Sequence, residues 1–240
     1  MRRFLSLIVA LLAALPAAAA DKPKTEAPVV KPREGKSETI TLFDGKTLEG
    51  WEGHENLWSV KDGAIVGKNT DEVKVSTYLV TKKKFSDFLL KSKVKLVDGG
   101  PGDMHSGIAI WGHVAPEKGD KYTYLGHLVM FPSGWGMYDL HRRGGLPVDG
   151  GPARKGGKQK DWNDLWLLAQ GNRVRVAVNG TLVADWRDDK PELIEEGVIG
   201  LQLHANKAPQ EIHFKDLGLT TFPDAKGWDV KVGEKLKTEK

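Results

Sequence analysis

Gln202 and His204 have the residue types and the spacing to do chemistry in this chain. They stand in residues 197–219, GVIGLQLHANKAPQEIHFKDLGL, near the C-terminus. Along a strand, period two sends Ile199, Leu201 and Leu203 to one side and Gly200, Gln202 and His204 to the other. The first face reads as core. The second carries an amide and an imidazole where a plain solvent face would carry Lys, Glu or Thr. An imidazole with an ordinary pKa of about 6.5 exchanges protons near neutral pH, so the pair marks a polar, concave, ligand-facing surface. The competing reading is a half-buried histidine bonded to a neighbouring strand or loop.

A second constellation lies at His105, which shares a strand face with Gly107, Ala109, Trp111 and His113 while Ser106, Ile108 and Ile110 face the other way. Small residues between a histidine and a tryptophan leave room for a ligand ring to stack on the indole. Alternatively, Trp111 fills a core and the two histidines end the strand in solvent. His127 and His141 are further candidates, with structural roles as the competing reading. Trp162 and Asn163 follow a Gly-rich loop, residues 144–157, that is either a mobile lid or a surface excursion. His105, His127 and His204 could converge from different strands, but no two histidines have the close spacing of a zinc motif, and no metal is assigned. Asp139 and Asp161 read as turn or surface carboxylates. No G-x-S-x-G nucleophile elbow occurs, and the Gly-rich loop lacks the strand-to-helix setting of a phosphate cradle.

The elements that must position these residues are short and extended. Alternating, β-branched and aromatic runs recur at 39–43, 58–61, 64–67, 77–80, 85–97, 105–113, 122–131, 134–142, 165–170, 173–178, 181–186, 198–205 and 211–221. Gly, Asp, Asn and Pro clusters separate them, and no segment keeps a helical period over three turns. Asp62-Gly63 and Asn179-Gly180 are hairpin turns of the kind that need positive φ. Many strands without crossover helices predict an all-β, two-sheet antiparallel sandwich. No fixed-period repeat suggests a propeller.

Residues 1–20, MRRFLSLIVALLAALPAAAA, have the basic start, apolar run and small-residue end of a secretory signal, which predicts an exported, bacterial periplasmic or extracellular protein with no membrane insertion after cleavage. Residues 21–37 are rich in Lys and Pro and read as a disordered linker. Residues 38–222 then form one domain, followed by a charged tail at 223–240. The formal net charge is +4, of which Arg2 and Arg3 in the leader supply two, so the balance is too small for a nucleic-acid partner. The basic run Lys82, Lys83 and Lys84 reads as a solvated strand end. Cysteine is absent, which excludes disulfides, thiolate nucleophiles and Cys-based zinc sites.

Read in order, these pieces resemble a known family. Leu42-Phe43-Asp44-Gly45-Lys46 with Leu48, Gly50 and Trp51 resembles the "LFDGK.L.GW" opening of the 3-keto-disaccharide hydrolase domain family. Trp58 to Gly63 is similar to its "W.V.DG" step, Phe85-Ser86-Asp87-Phe88 to "F.DF", and His105-Ser106-Gly107-Ile108 to "NSGI". Trp162-Asn163, Asn179-Gly180, Gly197 to His204, and Phe214 to Leu217 resemble the "WN", "NG", "G.IGLQ.H" and "FRNI" blocks. The matches run in order over nearly all of residues 39–219.

The resemblance implies a concanavalin A-like lectin/glucanase jelly roll and activity on oxidised glycosides. In that chemistry a C3 ketone acidifies the C2 proton, a base removes it, and the C1 aglycone leaves before water adds, so no carboxylate pair is required. His204 is the expected base, with His105 as a second catalytic residue. Gln202, Trp111, His127, His141, Trp162 and Asn163 are expected to bind the substrate, a carbohydrate. No cofactor is expected. Two departures stand out: His105 and Trp111 replace the family's usual Asn and Arg, and its acidic "E.Q..D" strand reads YLGHLVMF here. Roles tied to those acids do not carry over. A non-catalytic carbohydrate-binding or envelope-interaction module on the same fold is the alternative.

Overall fold

The computed structural model of the protein describes residues 26–98, 106–130, 132, 135–141, 144–158, 160–224, 228 and 230–232. The expected leader at 1–20 and His105 lie outside the described residues. In chain order the strands are β1 (Thr39–Thr41), β2 (Trp51–Glu52), β3 (Trp58–Lys61), β4 (Ala64–Asn69), β5 (Thr77–Phe85), β6 (Phe88–Asp98), β7 (Ile108–Val114) and β8 (Tyr124–Val129). They continue with β9 (Met137–Asp139), β10 (Gly144–Gly145), β11 (Asn163–Gln170), β12 (Arg173–Val178), β13 (Thr181–Arg187), β14 (Gly197–Leu203), β15 (Gln210–Thr221) and β16 (Lys231–Val232). The longest helix among the described residues is Gly151–Gly156.

Two sheets form. The nine-stranded sheet runs β16-β13-β12-β11-β6-β15-β4-β3, with β1 also on β15, and the seven-stranded sheet runs β10-β9-β8-β7-β14-β5-β2. Among the described residues all strand pairings are antiparallel except β13 with β16. The chain passes between sheets at Ser86-Asp87, between β5 and β6. Each sheet has a late strand inside it, β14 between β7 and β5 and β15 between β6 and β4, so neither sheet is complete until the chain's last third has been placed. The hairpin turns are as expected: Asp62 and Gly63 have φ of 51° and 72°, Asn179 and Gly180 of 49° and 77°.

Period-two patterning gives the core. Phe88, Leu90, Leu167 and Val176 from one sheet meet Ile108, Ile110, Ile199 and Leu201 from the other, all fully or almost fully buried. Each such side chain contributes roughly 1.5–3 kcal/mol on burial.

One strand breaks its own alternation. In β7 the pairing with β8 slips between Ile110 and His113, and Trp111 has φ of 54°. This bulge places an extra residue on β7 and turns Trp111 to the same inward side as its neighbour Ile110. The indole is fully buried and donates from Nε1 to the Ser86 carbonyl at 2.8 Å. Gly112 is required beside it, because a Cβ there would lie 1.8 Å from the Leu125 carbonyl oxygen.

Both termini of the domain are more firmly held than their composition suggests. Residues 26–37 make no strand, because Pro28 and Pro32 cannot join a ladder. Buried side chains satisfy their backbone instead: Asn172 accepts from Val30 N at 3.1 Å and donates to the Pro28 carbonyl at 2.6 Å, and Asp87 accepts from Arg33 N at 2.9 Å. In the tail, the Pro223 carbonyl accepts from Gln170, Trp228 lies 6.4 Å from Trp166, and β16 pairs with β13.

Candidate functional site

On its outer face the seven-stranded sheet carries a second, smaller apolar cluster of Tyr78, Val80, Ala109, Tyr124, Leu128 and Met130. A cavity of about 430 Å³ opens over it, and its walls include Tyr78, Tyr124, Trp135, Tyr138, Gln202 and His204. The polar stripe on β14 therefore reaches a cavity.

The sheet register explains the meeting. Gln202 lies directly opposite Tyr78 on β5, and Gly200 opposite Ala109 on β7. A Cβ on Gly200 would lie 3.2 Å from Tyr78 and 3.4 Å from Tyr124, so the glycine lets both rings lie across β14 with centroids 5.5 Å apart. Tyr124 donates to the Val198 carbonyl at 2.6 Å, and burial holds its phenol well above the usual tyrosine range.

Gln202 is 2% exposed and locked on three sides. Its backbone N–H donates to the Gly107 carbonyl, its own carbonyl accepts from Ser106, and its Nε2 donates to the Tyr78 hydroxyl at 3.1 Å. Its Oε1 has no hydrogen-bond partner, and neither has the buried Thr123 Oγ1 on the same cavity. The amide thus presents an acceptor to the cavity. His204 follows the end of β14 and is half-buried, and its carbonyl accepts from Gln210 at 2.5 Å. Among the described lining residues the charged side chains are Lys74 and Lys118, and no carboxylate is present.

The other expected site residues among those described do not join this cavity. Trp111 faces the core because of the β7 bulge. His127 is fully buried on the inward face of β8, since Tyr124 and Leu128 alternate with it on the cavity side. Its Nε2 bonds the fully buried Asp188 carboxylate, and its ring sits 5.8 Å from both Trp111 and Trp186. His141 lies against it, 6.3 Å between rings, with its backbone N–H on Asp139; burial pushes its pKa down, outweighing the nearby Asp139 carboxylate.

Trp162 lies on the outer face of the opposite sheet, with Lys215 4.2 Å and Lys95 5.0 Å from its ring. Asn163 is buried as a loop staple, accepting from Lys158 N and donating to the carbonyls of Lys158 and Asp161. Sequence reasoning missed Tyr78, Tyr124, Tyr138 and Trp135. The available signal was aromatic residues on the face of a strand opposite its aliphatic core face, as in Tyr78 beside Leu79.

A search of curated proteins finds no match. Among solved structures, a candidate glycosyl hydrolase from Parabacteroides distasonis ATCC 8503 is 19% identical with a TM-score of 0.54, covering 77% of this chain and 94% of that one. A second crystal structure described in the same way, from the same organism, gives 19% identity and a TM-score of 0.55, covering 77% and 100%. A galectin-like protein of unknown function from Bacillus subtilis gives 14% identity and a TM-score of 0.50, covering 79% and 99%. These similarities carry the fold, a jelly-roll sandwich of the concanavalin A-like type. The model of the 3-keto-alpha-glucoside-1,2-lyase-like domain matches residues 38–220, most of the chain, and the protein belongs to that family.

Proposed function

We propose that the protein is an exported enzyme that binds a 3-keto-glycoside in the cavity over the seven-stranded sheet and cleaves its glycosidic bond, with His204 as the base. The observation that carries this reading is the meeting of Gln202 and His204 on one aromatic-walled cavity with no carboxylate among its described lining residues. An ordinary glycosidase needs two carboxyl groups about 5–9.5 Å apart. Elimination from a 3-keto sugar needs one base near neutral pKa. His204 takes the C2 proton, the C2–H electron pair forms the enolate with the C3 ketone, and the C1–O bond breaks to release the aglycone. Water then adds across the resulting double bond. Gln202 Oε1 accepts a sugar hydroxyl, and the tyrosine and tryptophan faces hold the ring.

The test is aglycone release from a synthetic 3-keto-disaccharide by the purified protein. The expected result is turnover that His204→Ala abolishes while binding persists. Full activity in that variant overturns the assignment of the base. Binding without release by the wild-type protein favours the second reading, a carbohydrate-binding module, which the same carboxylate-free lining also suits.

A further inference from the structure

A second cleft, of about 560 Å³, borders the first. Lys74 and Val75 line both, so a ligand leaving the first cavity over this segment enters the second. Its wall carries an ordered polar array. Asp120 accepts from Thr77 Oγ1 at 2.7 Å and from Tyr122 N at 2.9 Å, and its other oxygen is 2.8 Å from His54 Nε2. The His54 ring meets Tyr122 edge-on at 5.0 Å. Burial works against ionisation of Asp120, but the bonds from Thr77, Tyr122 and His54 outweigh it and hold the carboxyl below its ordinary range.

Two buried polar atoms on this wall have no partner. Asn69 is 4% exposed, its Nδ2 is used by the Asp71 carbonyl, and its Oδ1 accepts from nothing. Trp58, which lines this cleft and the neighbouring one beside Gly53, is 3% exposed, and its Nε1–H donates to nothing. Buried polar groups are ordinarily paired. An acceptor and a donor orphaned on one cleft suit a ligand whose groups both give and take hydrogen bonds, as sugar hydroxyls do. The ionic lining is mixed and forms no anion site: Lys68 is paired with Glu211 at 2.8 Å and His54 with Asp120, and Lys74 stands among Glu55, Asp71 and Glu72.

We propose that this cleft is an additional subsite for a neutral sugar unit, so that the protein takes an oligosaccharide spanning both cavities instead of a disaccharide held in one. The proposal rests on the reading of the first cavity as a sugar site. Its test is calorimetric titration of the full chain with maltose and with maltotetraose. The tetrasaccharide is expected to bind about tenfold more tightly, a gain of 1.4 kcal/mol. Trp58→Phe keeps an aromatic ring and removes the N–H, and Asn69→Ala removes the acceptor. Each should erase the gain for maltotetraose and leave the maltose Kd within about twofold. Equal affinity for the two sugars, or a gain that survives both variants, overturns the subsite and leaves the first cavity standing. Failure of both sugars to bind overturns the subsite, while the reading of the first cavity stands or falls on aglycone release from the 3-keto-disaccharide.

Discussion

Gln202 Nε2 donates to the Tyr78 hydroxyl at 3.1 Å, across the β14–β5 pairing, and this bond leaves Oε1 buried without a partner on the cavity wall. An unpaired buried acceptor costs about 1–3 kcal/mol. The cost is recovered when a ligand hydroxyl fills the position, so this residue separates stability from binding.

Gln202→Met should therefore leave stability within about 1 kcal/mol of wild type, because a side chain of similar size removes the orphaned acceptor along with the bond to Tyr78. Sugar affinity should fall about tenfold, the equivalent of one hydrogen bond. Thermal unfolding and calorimetric titration on the same preparation check both halves. A large stability loss with unchanged affinity would make Gln202 a structural residue only.

His127 should behave in the opposite way to His204. Its partner Asp188 is fully buried and also accepts from Lys190 N at 2.8 Å, so Asp188→Ala takes the carboxylate away from an imidazole in the interior. The expected loss is about 2–4 kcal/mol by denaturant unfolding. His204→Ala, at a half-buried position after a strand end, should cost less than about 1 kcal/mol. Equal losses would remove the distinction between the interior histidine and the cavity histidine.

The sandwich and the two-faced β14 were legible because period two survives in the sequence wherever the strand is regular: Ile199, Leu201 and Leu203 went to the core and Gln202 to the cavity. Trp111 was not legible for the converse reason. A bulge inserts one residue without changing composition, and every later side chain on the strand changes face. His127 defeated the reading through its partner, since Asp188 is 61 residues away and no local pattern joins them. The tyrosine wall was hidden because Tyr78-Leu79-Val80 in β5 and Tyr124-Leu125 in β8 put apolar residues on both faces, so alternation of polarity had nothing to report there. Trp162-Asn163 matched a family block in order, but the block's asparagine holds a loop and its tryptophan lies under lysines on the other sheet.

His141 gives stability a dependence on pH. Burial lowers its pKa below the ordinary 6.5, so the unfolded chain binds its proton more readily than the folded one. Stability from this group is complete above pH 6.5 and is lost as pH falls from there through the folded value. His141→Gln should flatten that limb of the profile. Denaturant midpoints collected at half-unit steps below pH 7 check it, and an unchanged slope would assign the dependence elsewhere.

Asn172 ties the N-terminal segment to the sandwich. Fully buried, it accepts from Val30 N, and its Nδ2 donates to both the Pro28 carbonyl and the Asp188 carbonyl at 2.6 and 2.7 Å. The segment runs close to the β11–β12 turn, where a Cβ on Gly171 would lie 2.2 Å from the Val30 carbonyl oxygen. Asn172→Ala strands these groups, and because Asp188 also holds His127, the substitution acts on the interior as well as on the segment. Limited trypsin digestion should cut after Arg33 several times faster in the variant, with the sandwich itself intact on mass analysis. Gly171→Ala provides an independent route to the same release, since φ of 58° and the close carbonyl both oppose a side chain there. Protection of Arg33 in both variants would mean that Asp87, through its bond to Arg33 N, is sufficient to hold the segment.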